Sequence, residues 1–493
     1  MNEKSRVLVQ KYFEDVSLVQ ANIESFNQFI DEELAKIIQE NHEIEPTIIP
    51  QNVDDFKIKL DRIYITKPEM IEADGSKREI KPVEARLRKM TYAAPMFIDI
   101  SAHINGVQRE AFTSQIASIP IMLKSKYCYL NRKSKEELIK EGEDPDDPGG
   151  YFIVNGSEKV LIAVEDLAAN NFMIEKADAK NYVGKMFSEK ASFKIPHTLE
   201  MDKSGLFTLS FTRVKKIPFV LLVKALGLVR DDEIMKIVNP KIQHDEVLVN
   251  LYDAVDVKSS EEAVDRIAKR VGITQSKEVR LERMHEILDK YLLPHIGITP
   301  EDRMAKAYNV CKMVNRYILT MRGKVPADNK DHYGNKRLKL SGDLLADLLR
   351  VNIKVLIGDL LYNFQRIVKR GKFPSIKVII RDKLLTSRIY SSMATGNWVG
   401  SRKGISQRIQ RVNYLDTVSH LQRVVSPLST SQENFEAREL HPTHFGRLCP
   451  IETPEGTNIG LRKNLALTAQ VSIGSNDEEI LKQLRALGVT MTR

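Results

Sequence analysis

The spacing of apolar and polar residues changes along the chain and predicts both helices and strands. Residues 8 to 38 carry apolar side chains at helical intervals, from Val16 to Ile37, which predicts amphipathic helices. From about residue 56, FKIKLDRIYI alternates with a period of two and MFIDI follows the turn signal AAP, so both predict strands. The run YFIVNGSEKVLIAVE predicts a hairpin that turns at Asn155 and Gly156, a pair that readily adopts positive φ angles.

The chain also shows where its domains divide. The run EGEDPDDPGG at residues 141–150 predicts a loop, because its prolines and glycines interrupt helices and strands. Residues 166–345 begin with short strand patterns and become helical, with Ser near helix starts, acids early and bases late. This section has its own apolar faces, and we expect a separate domain. The predicted fold class is mixed α/β (α+β) with several domains, and no repeat of fixed period is visible.

Composition agrees with several domains and adds a basic character. A chain of 493 residues with 42% hydrophobic content exceeds the size at which a single core stops growing. Lys and Arg number 75 against 66 Asp and Glu, a net charge of +9, which favours a polyanionic partner. Residues 364–388 alone carry a net charge of +7. An ordinary basic protein with a solvated surface is the alternative explanation for both observations.

The cysteines and the N-terminus indicate the compartment. Cys128, Cys311 and Cys449 lie far apart and form no C-x-x-C motif, so neither a disulfide framework nor a zinc ribbon is predicted. The N-terminal residues are charged and lack a cleavable leader pattern, and no apolar run reaches about 18 residues. We therefore expect a soluble protein of the cytoplasm, a reducing compartment, without membrane contact.

Motifs for autonomous catalysis are absent from the sequence. GNWVGSRKG lacks the glycine and lysine spacing of a phosphate-binding loop. The D-x-D pair Asp144 and Asp146 lies in the proline-rich loop, so an acidic surface turn is favoured over a two-metal centre. HEILD at 285–289 lacks the second histidine of H-E-x-x-H and predicts plain helix. No nucleophile elbow is present.

A zinc site can be assembled on paper near the C-terminus, but its pattern is incomplete. The histidine pair there has no matching cysteine pair. The four candidate ligands are His441, His444, Cys449 and His420. We therefore predict no metal site in this chain, and we favour structural hydrogen bonding for His441 and His444.

Residues 441–461 carry the most specific pattern. HPTHFGRLCPIETPEGTNIGL resembles the H-P-T-H-x-G-R-x-C-P-x-E-T-P-E-G-x-N-x-G-L segment of the second-largest (beta-like) subunit of multisubunit DNA-directed RNA polymerases. Similar landmarks occur in the same order: DPGGYFIVNGSEKVLIA, IPFVLLVKALG, DNKDHYGNKRLKLSGDLL, ATGNW and GISQRIQRVNYLDTVSHLQR. The resemblance covers nearly the whole chain and is archaeal and eukaryotic in character.

This resemblance implies an architecture of protrusion, lobe and fork. The protrusion would comprise residues 1–165 and 346–397, with the lobe, 166–345, inserted into it, followed by the fork at 398–470 and the start of a further domain at 471–493. Family members normally continue for several hundred residues past the signature, whereas this chain stops at Arg493. The resemblance therefore implies the N-terminal half of a divided subunit, similar to the archaeal B-double-prime subunit.

The implied function is that of a nucleotidyltransferase subunit in transcription. The chain would form one side of the DNA cleft and part of the active-centre roof while the complex makes RNA from ribonucleoside triphosphates. Alone it would not be catalytic and would bind no cofactor, because the complex uses Mg²⁺ through the largest subunit. The implied partners are the DNA template, the downstream duplex, the RNA–DNA hybrid, the C-terminal half of the split subunit, the largest subunit and smaller subunits.

Two alternatives belong to other classes of protein. One is a free-standing nucleic-acid-binding or scaffold protein derived from such a subunit. The other is an autonomous nuclease or single-chain polymerase, which requires magnesium held by this chain.

The resemblance also assigns candidate residues. Beside the active centre we expect Arg438, Arg447, Glu455 and Asn458. For contacts with nucleic acid we expect Arg402, Lys403, Arg408, Arg411, Arg423, Arg462 and Lys463. Internal ion pairs or capping hydrogen bonds are the alternative role for the residues of the 438–463 loop.

Two further assignments concern shape rather than charge. The fork loop near downstream DNA would contain Thr430, Ser431 and Gln432, which replace more basic residues of bacterial relatives and argue against rifamycin sensitivity. Gly396 and Asn397 would shape the turn that leads into the fork, and we expect Trp398 to pack rather than to stack on a base.

Overall fold

The computed structural model describes residues 3–49, 53–72, 74–177, 181–191, 193–242, 244–372, 375–472 and 477–489. The chain divides into two compact units. The composite unit joins Met1–Asp166 with Leu338–Arg493, and the inserted unit is Leu167–Arg337. Helices and several sheets occur together, which confirms the mixed α/β class.

The first stretch of the composite unit opens with helices and continues mainly as strands. A short π-helical segment, Phe29–Glu33, lies between its second and third helices. Its elements are α1 Glu3–Asp15, α2 Gln20–Gln28, α3 Leu34–Gln39, β1 Glu43–Ile44, β2 Phe56–Ile65, β3 Glu69–Ile71, β4 Lys77–Glu79, α4 Pro82–Leu87, β5 Ala93–Ile104, β6 Val107–Pro120, α5 Lys135–Lys140, β7 Phe152–Val154, β8 Ser157–Leu161 and β9 Ala163–Leu167.

The inserted unit pairs a sheet with helices. Its strands β10 Met173–Lys176, β11 Tyr182–Lys190, β12 Phe193–Met201, β13 Phe207–Phe211 and β14 Val214–Pro218 form an antiparallel sheet in sequential order. Its helices are α6 Phe219–Ala225, α7 Asp231–Val238, α8 Asp245–Asp253, α9 Ser260–Val271, α10 Lys277–Tyr291 and α11 Arg303–Met321. Every residue of α6 is buried, so this helix lies at the centre of the unit's own core.

The second stretch of the composite unit is mainly helical and then irregular. Strand β15, Lys336–Lys339, crosses the unit boundary. The following elements are α12 Ser341–Val368, α13 Ile376–Ile379, α14 Asp382–Thr395, β16 Ser406–Arg408, α15 Tyr414–Leu421, β17 Arg423–Val425, α16 Phe435–Arg438, β18 Arg462–Asn464 and α17 Asp477–Ala486.

Both stretches build one core in the composite unit. Strands β1, β2, β5 and β6 form an antiparallel sheet, and the ring of Phe364 on α12 stacks on Phe56 of β2 with centroids 4.9 Å apart. Helix α12 begins directly against α2, where the Ser341 hydroxyl donates to the Asn22 carbonyl at 3.0 Å. A Cβ at Gly342 would overlap the Ser25 carbonyl, so only glycine permits this approach.

Most local predictions are confirmed. FKIKLDRIYI is strand β2, and β7 and β8 form the expected hairpin through Asn155 (φ 50°) and Gly156 (φ 73°). The run at 141–150 contains neither helix nor strand. The Ser259 hydroxyl caps α9 by accepting the Glu262 N–H at 3.2 Å, whereas Ser276 precedes α10 without a side-chain cap.

Trp398 is buried, and its indole N–H donates to the Leu344 carbonyl at 2.8 Å, which confirms the packing role. The three cysteines are free thiols. Among the described helices, none combines the length and apolar character needed to cross a membrane.

Candidate nucleic-acid interface

Residues 402–464 are held together by helix α15 and short strands. The Asn413 side chain caps α15 by accepting the Asp416 N–H at 2.8 Å. His420, on the same helix, is buried, and its Nδ1 accepts the Gln410 N–H at 3.1 Å. Nε2 therefore carries the proton and faces the Gln407 amide oxygen at 3.2 Å. Burial lowers the pKa of His420 to about 4, so the ring is neutral at pH 7. Its two hydrogen bonds connect α15 to the segment that contains β16.

Strands β17 and β18 pair antiparallel and separate basic side chains onto two faces. Arg423 lies opposite Asn464, Val424 opposite Lys463, and Val425 opposite Arg462. Because side chains alternate across a strand, Val424 and Lys463 share one face while the two arginines share the other. The register therefore gives Lys463 and its neighbour Arg462 different surroundings.

Lys463 points inward. Its ammonium lies 2.8 Å from the Glu165 carboxylate, and the two side chains are 8% and 2% exposed. The Ser426 hydroxyl donates to the same carboxylate oxygen. The Lys463 charge is therefore matched inside the composite unit.

Arg423 and Arg462 lie on the opposite, more accessible face. Arg423 donates to the Gln410 amide oxygen at 3.3 Å. Burial lowers the pKa of Arg423, and the Arg462 guanidinium lowers it further, so the two positive charges lie near each other. Within the described ranges, neither forms an ion pair. The Asp416 and Glu452 carboxylates act on Arg423 in the opposite direction and raise its pKa. Two neighbouring guanidinium groups that are not held in ion pairs still form a position that suits an anion.

The other basic residues predicted to contact phosphates differ in whether they form an internal ion pair. Arg402 is largely buried and pairs with Asp166 at 2.5 Å. Lys403 and Arg408 are exposed, and the described part of the chain provides neither with an ion pair. The structure thus places Lys403 and Arg408 at the surface and gives Arg402 an internal partner.

Arg411 belongs to a cluster of charges and an aromatic ring. It contacts Asp147 at 2.8 Å and Glu158 at 2.6 Å, and its guanidinium lies 5.1 Å from the centre of the Tyr151 ring. Arg86 shares the Glu158 carboxylate at 2.8 Å. These contacts attach the segment before α15 to the 141–150 loop and to β8.

Arg438 organises the loop predicted to lie beside the active centre. Its guanidinium donates to the carbonyls of Thr457 at 2.8 Å and Ile459 at 2.9 Å, and also to those of Thr430 and Gln432. Gly460 has a φ of 71°, and a Cβ there would overlap the Arg438 backbone. Arg438 thereby ties the fork loop to the 456–460 turn.

The other predicted residues of this region lie nearby in sequence but have fewer contacts. Arg447 donates to the Thr443 carbonyl at 2.9 Å, Glu455 is exposed, and Asn458 is half-buried. In the fork loop, Thr430, Ser431 and Gln432 are all exposed. The Ser431 hydroxyl lies 2.8 Å from that of Ser429, which rigidifies the turn.

The two histidines of the motif have hydrogen-bonding roles. His441 Nδ1 accepts the Thr443 N–H at 3.2 Å, and His444 Nδ1 accepts the His441 N–H at 3.4 Å. The structure thus confirms structural hydrogen bonding for both. Nowhere in the described ranges do three or more His, Cys, Asp or Glu side chains form a group suited to a metal ion.

Sequence reasoning missed the acidic partners. Glu165 and Asp166 stand side by side at the end of β9, where they meet Lys463 and Arg402. A pair of carboxylates that follows the buried run VLIAV is a signal for internal charge pairing. Asp147 and Glu158 lie within a recognised landmark, but their pairing with Arg411 has no local sequence signal.

Comparisons with known proteins identify the family of the chain. Residues 17–387 match the family described as RNA polymerase beta subunit, and residues 407–471 match RNA polymerase Rpb2, domain 3. The chain belongs to the RNA polymerase beta subunit family. It is similar to subunits named as DNA-directed RNA polymerase subunits in archaea.

The relatives fall into two lengths. DNA-directed RNA polymerase subunit Rpo2 of Saccharolobus solfataricus is 43% identical over 99% of this chain but only 43% of its own length. The chain thus spans less than half of that relative. The subunits Rpo2N of Methanococcus vannielii and Methanocaldococcus jannaschii are each 42% identical, over 99% of both chains.

Proposed function

We propose that this chain is a subunit of an archaeal-type DNA-directed RNA polymerase and forms one side of the DNA cleft and part of the active-centre roof. Family membership across residues 17–387 and 407–471 carries the proposal. The Arg423 and Arg462 face supports it locally, because a polymerase must hold phosphates without reading their sequence.

The division into compact units supports the proposed domain names. The protrusion comprises 1–165 and 346–397, the lobe 166–345 and the fork 398–470, with 471–493 leading into a further domain. An insertion between two stretches that share one core accounts for a composite unit of this kind.

Basic residues of the fork have two roles in this proposal. Lys403, Arg408, Arg423 and Arg462 contact phosphates of the template, the downstream duplex or the RNA–DNA hybrid. Arg402, Arg411 and Lys463 hold the surface in shape through Asp166, Asp147, Glu158 and Glu165.

The loop around Arg438 contributes to nucleotidyl transfer by holding its residues in fixed positions. Nucleotidyl transfer depends mainly on orientation and charge stabilisation, so a rigid loop contributes without exchanging protons. Arg438 fixes the turn that carries Glu455 and Asn458 beside the active centre, with Arg447 at its flank. The Mg²⁺ that the complex uses would be held by the largest subunit, outside this chain, and would supply charge stabilisation.

The proposed partners are the largest subunit, smaller subunits and the polypeptide that supplies the rest of the beta-like subunit, as the name Rpo2N suggests for the archaeal relatives. The complex would act in the cytoplasm.

Reconstitution tests the proposal. Templated RNA synthesis is measured with all subunits and with this chain left out. We expect activity only in the complete mixture, and full activity without the chain rejects the proposal. Affinity purification distinguishes this proposal from a free-standing nucleic-acid-binding or scaffold protein. That alternative predicts recovery of this chain without polymerase subunits.

A further inference from the structure

Strand β2 of the composite unit loses its outer neighbour partway along its length. On one side β2 pairs with β5 as far as Ile65, apart from one bulge. On the other side the ladder with β1 contains only Ile58 and Lys59 of β2. Within the described ranges, no further strand joins β2 on that side. Residues 61–65 therefore form an open edge of the sheet, and we call them the open edge.

The hydrogen-bond pattern shows which backbone groups of the open edge face outward. The Thr66 N–H donates to the Pro95 carbonyl of β5 at 3.2 Å, and this pair continues the antiparallel register of the two strands. Backbone groups alternate in direction along a strand, so those of Tyr64 also face β5, whereas those of Ile63 and Ile65 face away from it. In the described part of the chain, the outward N–H and carbonyl groups of Ile63 and Ile65 have no hydrogen-bond partner.

The bulge in β2 agrees with this orientation. The Leu60 N–H donates to the His42 carbonyl at 2.9 Å, on the side away from β5. Asp61 and Arg62 together oppose a single residue of β5, because the register shifts between Leu60 and Ile63. One extra residue inverts the alternation, so Leu60 and Ile63 both face outward although they are three positions apart.

A cavity of about 400 Å³ lies along the open edge. Residues 61–65 form one wall, and the other wall includes Asp31 of the π-helical segment, Ala35 of α3 and Tyr127. The Tyr127 hydroxyl donates to the Asp31 carboxylate, and the Lys126 ammonium lies 2.9 Å from the same carboxylate. These contacts hold the second wall in place. The space beside the open edge is therefore preformed, and its volume is within the range of about 300–1,000 Å³ that is typical of binding pockets.

The spacing of the outward groups indicates the class of ligand. Residues two apart on a strand are about 7 Å apart, and each presents one donor and one acceptor. A second extended polypeptide offers the same alternation, whereas a nucleic acid backbone offers phosphate oxygens without regularly spaced donors. Asp61 adds a preference for charge. Its exposed carboxylate accepts the Ser101 hydroxyl at 3.0 Å and has no ion pair within the described ranges, so it favours a basic side chain on the ligand.

We propose that the open edge binds an extended, basic segment of another protein, which joins the sheet as an added strand. The backbone of this segment pairs with Ile63 and Ile65, and a Lys or Arg side chain of the segment meets Asp61. The inference goes beyond the proposed function and uses only the geometry of β2 and the cavity, so either can fail while the other stands.

Hydrogen exchange on the unaltered full chain, read at single residues, is the first test. In the free chain the outward amides of Ile63 and Ile65 should exchange faster than the Tyr64 amide, which faces β5. Equal protection of the three amides overturns the proposal. The probe is a pool of blocked heptapeptides in which Lys or Arg alternates with Val, Ile or Thr. We expect at least one peptide to slow exchange at Ile63 and Ile65 by about tenfold or more, with Tyr64 as the internal control. A pool without such a peptide overturns the proposal.

A variant that fills the cavity is the second test. Ala35→Trp adds a large side chain from α3 without altering the open edge, and Lys36→Trp, at the next exposed position and outside the cavity lining, is the matched control. Fluorescence anisotropy of the labelled peptide gives the affinity. We expect Ala35→Trp to bind about tenfold or more weakly and Lys36→Trp to bind like the wild type. Equal affinity of all three proteins overturns the proposal.

Altered peptides separate strand pairing from other kinds of binding. Methylation of alternate peptide nitrogens removes the donors that an added strand requires, in one of the two possible phases. We expect one phase to abolish binding, and full binding in both phases overturns strand pairing. Glu in place of Lys or Arg should weaken binding, and equal binding of the acidic peptide overturns the role of Asp61. A dimer of this chain that Ala35→Trp abolishes assigns the edge to a second copy and also overturns the proposal.

Discussion

Lys463 and Glu165 form an ion pair of 2.8 Å in which both side chains are almost fully buried. The lysine lies two residues after the signature at 441–461, and the acid lies in β9, 298 residues earlier. A basic residue of the proposed fork is therefore part of the core that holds the fork in place.

Removing one member of this pair should destabilise the composite unit. Lys463→Met leaves the Glu165 carboxylate buried without its cation, at a cost of about 3 kcal/mol. Urea unfolding followed by fluorescence of Trp398, the single tryptophan, measures this cost. The exposed Lys403→Met serves as the control and should change stability by less than about 0.5 kcal/mol. Equal midpoints for the two variants would contradict the structural role.

Variants of Arg408 and Arg411 should differ in their effects: one should weaken DNA binding and the other should lower stability. Arg411→Met removes contacts with Asp147 and Glu158, so we expect a loss of about 1–3 kcal/mol in the free energy of unfolding. Arg408→Met should leave the urea midpoint unchanged and weaken DNA retention by the assembled polymerase. A stable Arg411→Met protein would show that the charge cluster contributes little.

The arginine face should determine the salt dependence of DNA binding. If Arg423 and Arg462 each contact one phosphate, their replacement by Gln makes the negative slope of log K against log salt less steep by about 2. The matched control is Lys89→Gln with Lys140→Gln, two exposed lysines of the same unit. Filter retention of the assembled complex between low and moderate salt gives the slope. An unchanged slope in the arginine variant places the phosphate contacts elsewhere.

Two glycines test the loop organised by Arg438. Gly460 and Gly446 have φ angles of 71° and 73°, but only at Gly460 would a Cβ overlap the Arg438 backbone. We expect Gly460→Ala to slow nucleotide addition by about tenfold or more while DNA retention persists, because the proposed function assigns part of the rate to the position of this loop. Gly446→Ala adds backbone strain of about 1 kcal/mol without that overlap and should change the rate little. Equal rates in both variants would contradict the positioning role.

His420 should make the composite unit sensitive to acid. Its folded pKa of about 4 lies below the ordinary value of 6.5, so the unfolded chain binds the proton first as pH falls. The stability due to neutral His420 is complete above pH about 6.5 and is lost between there and about 4, which amounts to about 2 kcal/mol at pH 5. His420→Gln should reduce the loss between pH 7 and pH 5, measured by Trp398 fluorescence in urea. His103→Gln, a half-exposed histidine of the same unit, should retain it.

Local elements were predictable because their signals are local. The alternation in FKIKLDRIYI requires only neighbouring residues to place β2, and the turn at Asn155 and Gly156 follows from the φ angles these residues accept. The signature at 441–461 likewise identified the family without any tertiary information, and the comparisons confirm it.

The roles of individual charges were not predictable in this way. Arg402, Arg411 and Lys463 look like Arg408 and Arg462 in a sequence, since each is a basic residue in a basic segment. Their acidic partners lie 236, 264 and 298 residues away along the chain. The pairing depends on the register of short strands, and shifting β18 by one residue would exchange the environments of Arg462 and Lys463.

The sequence by itself therefore determined the mixed fold class, the main local elements and the family, because periodicity, turn chemistry and a long motif are properties of adjacent residues. Only the tertiary structure decided which cations are buried against carboxylates and which remain at the surface. The physical reason is that the energy of a charge depends on its solvent exposure and on the charges around it, and both are set by residues that folding brings together from distant parts of the chain.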